Sequence, residues 1–431
     1  MNRSNWAWAV AGVSFIALIG AAAFRATPGA LIEPLQEEFG WSTATIGLAV
    51  SVNLVLFGLT APFAAALMER FGVRKVVSFA LTLVAVGSGL TVFMTTSWQL
   101  VLFWGVLVGL GTGSMALAFV ATITGRWFVK NRGLVTGVLT AGGATGQLVF
   151  LPVVALLAES SGWRSASILV SVAALAVVPL VLLFLREYPA DLGIPPHGGD
   201  EIVPRPTATA TSGAARRAIT ALTSAARTGP FWFLAGGFAI CGATTNGLVG
   251  THFIPAAHDH GMPTTTAAGL LALVGVFDIV GTVLSGWLTD RVDSRILLAA
   301  YYVLRGASLL VLPQLFQDSV QPSMLVFIIF YGLDWVATVP PTVALCREVF
   351  GLSAPVVFGW VFASHQLGAA VAATAAGLTR DHFGNYAPAW YVAGVLSIGA
   401  AFLSMRIRKS TALPGSPENP TGDLTPQSTR G

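Results

Sequence analysis

Five ionisable side chains stand inside long apolar stretches of this chain: Arg25, Asp278, Arg305, Asp334 and His365. A charged group in the hydrocarbon of a bilayer costs roughly 2.5–3.5 kcal/mol on insertion scales, so each must face a cavity or a partner. Two cations, two carboxylates and one titratable ring come close to neutralising one another. Arg25 carries the planar fork that grips a carboxylate with two parallel hydrogen bonds; its plain alternative is a helix-end arginine reaching for the surface. Asp278 reads as a proton acceptor, because burial favours the neutral carboxyl, or as one half of a fixed pair with Arg305. Asp334 has the same two uses, and the sequence leaves them open. His365 could take part in proton coupling or be a hydrogen-bonded core histidine. Arg305 itself reads as a structural pair.

Composition requires a membrane for these groups. Of 431 residues, 55% are hydrophobic and 10% charged, against about a quarter charged in soluble domains. The net charge of +4 comes from Lys and Arg in short turns between apolar runs, so it indicates topology, not a nucleic-acid partner. Cys241 and Cys346 sit in apolar runs without ligand spacing and read as small core residues. His258-Asp259-His260 lacks a fourth ligand for a metal, no phosphate-cradling GxxxxGK[ST] segment is present, and no nucleophile with a nearby base can be placed. The expectation is therefore no enzyme, no cofactor and no metal.

Runs of about 20 apolar residues number twelve, six before residue 187 and six after 229. The predicted fold is all-α: twelve transmembrane helices as two six-helix pseudo-repeat bundles, residues 1–186 and 231–409. A cytoplasmic linker over 187–230 joins them, and 410–431 forms a disordered tail. The part of the linker from Ala214 to Thr228 is either a solvated tether or a helix in the membrane surface. Ala21-Ala22-Ala23 resembles a signal-peptide cleavage site, but the many spans that follow argue against one. Arg70, Arg74, Lys75, Arg126, Lys130, Arg132, Arg291, Arg295 and Arg347 share one side, which predicts cytoplasmic termini.

One turn is repeated at a constant offset, so that Glu69/Asp290, Arg70/Arg291 and Arg74/Arg295 correspond. With Gly286-x-x-x-Asp290-Arg291 after the eighth span and Glu69-Arg70-x-Gly72-x-Arg74 after the second, the chain resembles the major facilitator superfamily over nearly its whole length. Ala65 and Asp293 stand where that pattern has glycine, and the arginine of the family's fourth span is absent. The resemblance implies that Glu69, Arg70, Arg74, Asp290, Arg291 and Arg295 are gating residues. It also implies that the first, fourth, seventh and tenth spans line a central cavity, which adds Asn246, His252 and Tyr331 to Arg25 as substrate-binding candidates.

Asn5-Trp6-Ala-Trp8, Arg126-Trp-Phe-Val-Lys130-Asn-Arg132-Gly133, Gly162-Trp163-Arg164, Glu187-Tyr-Pro-Ala-Asp-Leu-Gly193 and Gly275-Val-Phe-Asp278 further resemble the monocarboxylate transporter and oxalate/formate antiporter branch. That likeness implies a monomeric, proton-coupled carrier that moves a small organic anion, a monocarboxylate, across an inner membrane by alternating access. Asp278, Asp334 and His365 would then be the proton-coupling groups. Thr282 occupies the position where lactate and pyruvate carriers place an arginine. A drug or metabolite exporter and a non-transporting sensor are the other readings.

Overall fold

The computed structural model describes residues 6–22, 27–115, 117–204, 213–289 and 291–407. Among these, ten helical stretches are long and apolar enough to cross a membrane, and Trp6–Ala22 and Ser97–Gly113 are shorter apolar helices. Helices suit a bilayer because every backbone polar group is bonded within its own segment. The first span contains α1 (Trp6–Ala22), and α2 (Thr27–Phe39), α3 (Thr43–Phe71) and α4 (Val73–Thr91) follow. The fourth span is α5 (Ser97–Gly113) with α6 (Leu117–Trp127), and α7 (Arg132–Ser161) and α8 (Trp163–Phe184) complete six crossings. After the connecting helix α9 (Ala214–Ala225) come α10 (Gly229–His258) and α11 (Thr264–Thr289), then α12 (Ser294–Val311). The tenth span is α13 (Pro322–Asp334) and α14 (Val339–Phe350), and α15 (Ala354–Phe383) and α16 (Ala387–Met405) end the second six. Arg25, Asp290 and the tail from 408 lie outside the described residues.

Departures from α geometry fall on particular spans. Val101–Val108 in α5 and Ala243–Val249 in α10 are wound as π turns, a geometry that recurs at functional sites. The tenth span is broken between Asp334 and Val339, because Pro340 and Pro341 supply no amide hydrogens to the preceding turn. These are the fourth, seventh and tenth spans.

The apolar core divides along the membrane normal. At the end remote from the basic turns, one cluster runs through both bundles, from Ile32, Val50 and Leu151 to Phe253, Leu271 and Ala373. At the basic end each bundle has its own cluster, centred on Trp127 and Val181 in the first and on Phe238 and Leu345 in the second. The fully buried core is thus shared at one end and divided at the other, where α3 and α15 still meet through the ring pairs Phe57–Phe362 and Phe63–Trp360. Large exposed side chains such as Phe79, Leu183, Val283, Val371 and Phe402 cover the outside of the helices, as lipid-facing surfaces require.

The segment after α8 folds back on the basic end of the first bundle. His197 exchanges backbone hydrogen bonds with Trp127, Val129 and Lys130, and its ring lies against Trp8 and Phe128. Helix α9 buries Ala218 and Ala225, exposes Arg216 and Arg217, and receives the Trp360 indole N–H at the Ala218 carbonyl.

Candidate functional site

The break in the tenth span brings the membrane-embedded polar groups of the second bundle together. Two side chains spaced seven residues apart on α11, and so on one face, serve the broken backbone. Asp278 Oδ1 accepts from the Val336 amide at 3.0 Å, and Ser285 donates to the Ala337 carbonyl at 2.5 Å. That carbonyl would bond the amide of residue 341 in a continuous helix, but residue 341 is proline. Thr282, one turn after Asp278, donates to the same Oδ1 at 3.0 Å. Helices α11 and α13 meet closely enough that a Cβ added at Gly281 would run into the Leu333 carbonyl.

From the other side, α12 inserts Arg305, which is fully buried. Its Nε donates to Asp334 Oδ2 at 2.5 Å, and Nη2 to the Asp334 carbonyl at 2.6 Å and the Trp335 carbonyl at 3.3 Å. Nη1 reaches Cys241 Sγ at 2.8 Å, and this sulfur also contacts Thr338 Oγ1 at 3.3 Å. Arg305 therefore pairs with Asp334 and not with Asp278, resolving the choice that the sequence left open. Asp334 Oδ1 is buried without a hydrogen-bond partner. Asp278 has no ion-pair partner among the described residues. Cys241, which from sequence reads as a small core residue, is a hydrogen-bond acceptor for a buried cation.

His365 on α15 lies against Phe238 at 4.7 Å between ring centroids, and its Nδ1 is buried without a partner, as is Oε1 of Gln366. His252 is fully buried; Nε2 bonds the Ala373 carbonyl at 2.8 Å and Nδ1 contacts Tyr386 Oη at 3.3 Å. Tyr331 is also fully buried and donates to the Thr244 carbonyl at 2.9 Å. Both residues were expected on a cavity, and the structure instead engages their polar atoms with protein. Asn246 is half-buried within the π turn of α10, where its carbonyl accepts from Thr251.

The two copies of the repeated turn are built differently. In the first, Gly72 has φ +89° and no room for a side chain, because the Glu187 carboxylate occupies that space. Glu187 accepts from the Val73 amide at 2.7 Å and the Arg74 amide at 3.0 Å, capping α4, and it pairs with Arg126 at 3.5 Å. In the second copy Asp293 stands at the corresponding position and supplies its own carboxylate. It accepts from the Arg295 amide at 2.9 Å and binds that residue's guanidinium at 3.1 and 2.7 Å. The unexpected Asp293 thus replaces the pair Gly72 and Glu187. Glu69 and Arg70 are exposed, Arg74 is half-buried, and Arg291 stacks on Trp287 at 4.0 Å. Sequence reasoning assigned Glu187 no capping role; its signal was the lack of any side-chain cap at Gly72.

At the opposite end an open cleft of about 670 Å³ is lined by Glu33, Glu37, Glu38, Glu159 and His258. The His258-Asp259-His260 run separates here: His258 pairs with Glu33 at 2.5 Å, Asp259 with Arg380 at 2.7 Å, and His260 bonds the Ala256 carbonyl. Glu38 holds Arg164 through two bonds and accepts from the Trp163 indole at 2.7 Å. These donors keep the Glu38 carboxyl below the usual carboxylate range.

Comparison with known proteins supplies the family. The chain is 25% identical over 384 residues to the uncharacterized MFS-type transporter YcxA of Bacillus subtilis, covering 88% of this chain and 90% of that protein. It is 26% identical to monocarboxylate transporter 13 of Rattus norvegicus, covering 92% and 88%. Among solved structures, the D-xylose-proton symporter superposes with a TM-score of 0.72 over 93% of this chain and 97% of that one, at 16% identity. An inward-facing, occupied bacterial homolog of the human lysosomal transporter Spinster gives 0.69 over 95% and 99%, also at 16% identity. The family model for the Major Facilitator Superfamily matches residues 13–354 and, overlapping, 253–429. With this match and the two-bundle helical fold, the chain belongs to the major facilitator superfamily of membrane transporters.

Proposed function

We propose that the protein moves a small monocarboxylate together with protons by alternating access between its two bundles. The observation that carries this reading is that relatives matching about nine-tenths of the chain are named monocarboxylate transporters. Two features of the site agree with it. Asp278 is a membrane-embedded carboxylate without an ion-pair partner among the described residues, so it can exchange a proton without breaking such a pair. Arg305 is enclosed by Asp334, Cys241 and two carbonyls, which leaves Arg25 as the cation for the substrate carboxylate. Asp278 carries the proton, while Asp334 and His365 are further coupling groups. Glu69, Arg70, Arg74, Asp290, Arg291 and Arg295 form the gate at the basic end. The basic end faces the cytoplasm, with both termini there, in a cell inner membrane.

Uptake of labelled lactate, pyruvate, acetate and oxalate into proteoliposomes, with and without an inward proton gradient, tests this reading. The expected result is gradient-driven uptake of one acid that is lost in Asp278→Asn and in Arg25→Gln. Uptake that survives both substitutions removes these residues from their roles. A correctly inserted chain that moves none of the acids, yet expels neutral or cationic solutes, makes the protein an exporter.

A further inference from the structure

We infer that Glu159 and Asp381 are a reciprocal pair of gating residues, each capping the first turn of a helix in the opposite bundle and thereby joining the bundles at the end remote from the basic turns. Asp381, near the end of α15, reaches α3: Oδ1 accepts from the Thr43 amide at 3.1 Å and Oδ2 from the Ala44 amide at 2.9 Å. Glu159, near the end of α7, reaches α11, where Oε1 accepts from the Thr265 amide at 2.9 Å.

The two contacts are copies of one design. Ala44 and Thr265 are separated by the same number of residues as Glu69 and Asp290, and Glu159 and Asp381 by one more. The internal repeat thus places one carboxylate at the end of each bundle's fifth helix and aims it at the start of the other bundle's second helix. Both receiving helices have amides to be satisfied. The first turn of a helix leaves several N–H groups without intrahelical partners, and a carboxylate there also meets the positive end of the helix dipole. In α3, Ser42 caps Thr45 with its own side chain, and Asp381 takes the two preceding amides. In α11 the residue before the helix is Pro263, which has no side-chain acceptor, so the cap comes from outside the bundle.

Their surroundings are closed in the same way. Ser51 donates to the Ala370 carbonyl and contacts Thr374 Oγ1 at 2.7 Å. Glu33 of the first bundle accepts from Thr264 at 3.3 Å. Beneath these contacts runs the one apolar cluster that spans both bundles. Alternating access requires this end to open in the other half of the cycle, and α7 with α11, and α15 with α3, must then separate. Opening breaks both caps at once and returns the carboxylates and amides to water. The latch therefore weights the equilibrium toward the state closed at this end, whatever solute is carried.

The test is a distance measurement in nanodiscs. Spin labels at Ser161→Cys and Ser319→Cys, exposed positions in opposite bundles, report separation at this end; the native Cys241 and Cys346 are buried and stay in place. Glu159→Gln and Asp381→Asn should each raise the ratio of separated to joined molecules about fivefold, the scale of a charged helix cap. The double variant should raise it about 25-fold, because the caps share no partner. Asp381→Glu, which keeps the carboxylate, should stay near the native ratio. An unchanged ratio in all variants overturns the inference, as does a lowered melting temperature with an unchanged ratio. The readout needs no substrate, so it stands or falls separately from the assignment of the cargo.

Discussion

Removing the carboxylate of Asp334 should cost far more than removing the whole Arg305–Asp334 pair. In Asp334→Leu, the fully buried Arg305 keeps Cys241 Sγ and the carbonyls of residues 334 and 335, but it loses its only ion-pair partner among the described residues, the one at 2.5 Å. An uncompensated buried charge of this kind costs about 3–5 kcal/mol. Arg305→Met alone strands the carboxylate and should cost about the same. In the double variant Arg305→Met with Asp334→Leu, neither charge remains. The penalty reduces to the carbonyls of Asp334 and Trp335 losing their donors, about 1 kcal/mol each. The double variant should thus be about 2 kcal/mol less stable than the native protein, and about 2 kcal/mol more stable than either single variant. Equilibrium unfolding in mixed micelles measures the order. A double variant below both singles, or singles costing less than about 1 kcal/mol, would refute the reasoning. Uptake in the same variants separates structure from coupling. Gradient-driven transport retained by the double variant assigns Asp334 to holding the helix break, and transport lost from a stably folded double variant assigns it to the proton step.

Two further outcomes follow from the helix ends. Gly72→Ala forces a side chain into a left-handed backbone and against the Glu187 carboxylate, so thermal stability should fall by about 1–2 kcal/mol; Asp293→Ala removes its cap, about 1 kcal/mol, together with its bonds to the Arg295 guanidinium. Because Arg164 and Trp163 hold the Glu38 carboxyl below its usual range, the pair's contribution is present above the ordinary carboxylate pKa, roughly 4.3, and lost as pH falls through the lowered value. The pair is partly exposed, so the melting-temperature difference between native protein and Glu38→Gln should be small above pH 4.3 and vanish in stronger acid.

Much of the fold is legible in the chain because hydropathy and helix length report the same physical requirement. Apolar runs of span length must be helical, and the repeated turn relates the halves. The shapes of individual spans are less legible. Pro340-Pro341 announces a break in the tenth span, whereas the π turns at Val101–Val108 and Ala243–Val249 carry no proline. Buried charges could be counted from sequence but not paired, since pairing depends on how each helix is rotated about its axis. Asp278 and Asp334 were equal candidates for Arg305 until the relative placement of α11, α12 and α13 was known. His252 and Tyr331 were expected on a cavity because of their span, yet a helix has several faces, and theirs point into the second bundle.

The groups that sequence reasoning passed over share a property: each carboxylate acts on backbone amides of a distant element. Glu187 caps α4, Asp381 caps α3 and Glu159 caps α11. An acidic residue at a helix end or in a loop looks like ordinary solvated charge, and nothing in its own neighbourhood indicates the amide it will meet. The usable signal lies at the receiving end, where Gly72 and Pro263 precede helices without offering any side-chain oxygen. A repeat then sharpens that signal, because an acceptor found for one half predicts its counterpart in the other. At the basic end the counterpart is Asp293, which moved the carboxylate onto the turn itself. At the opposite end the counterparts remained on the facing bundle, so the same requirement for capping ties two bodies together there. That difference matches the apolar core, which is divided at the first end and continuous at the second.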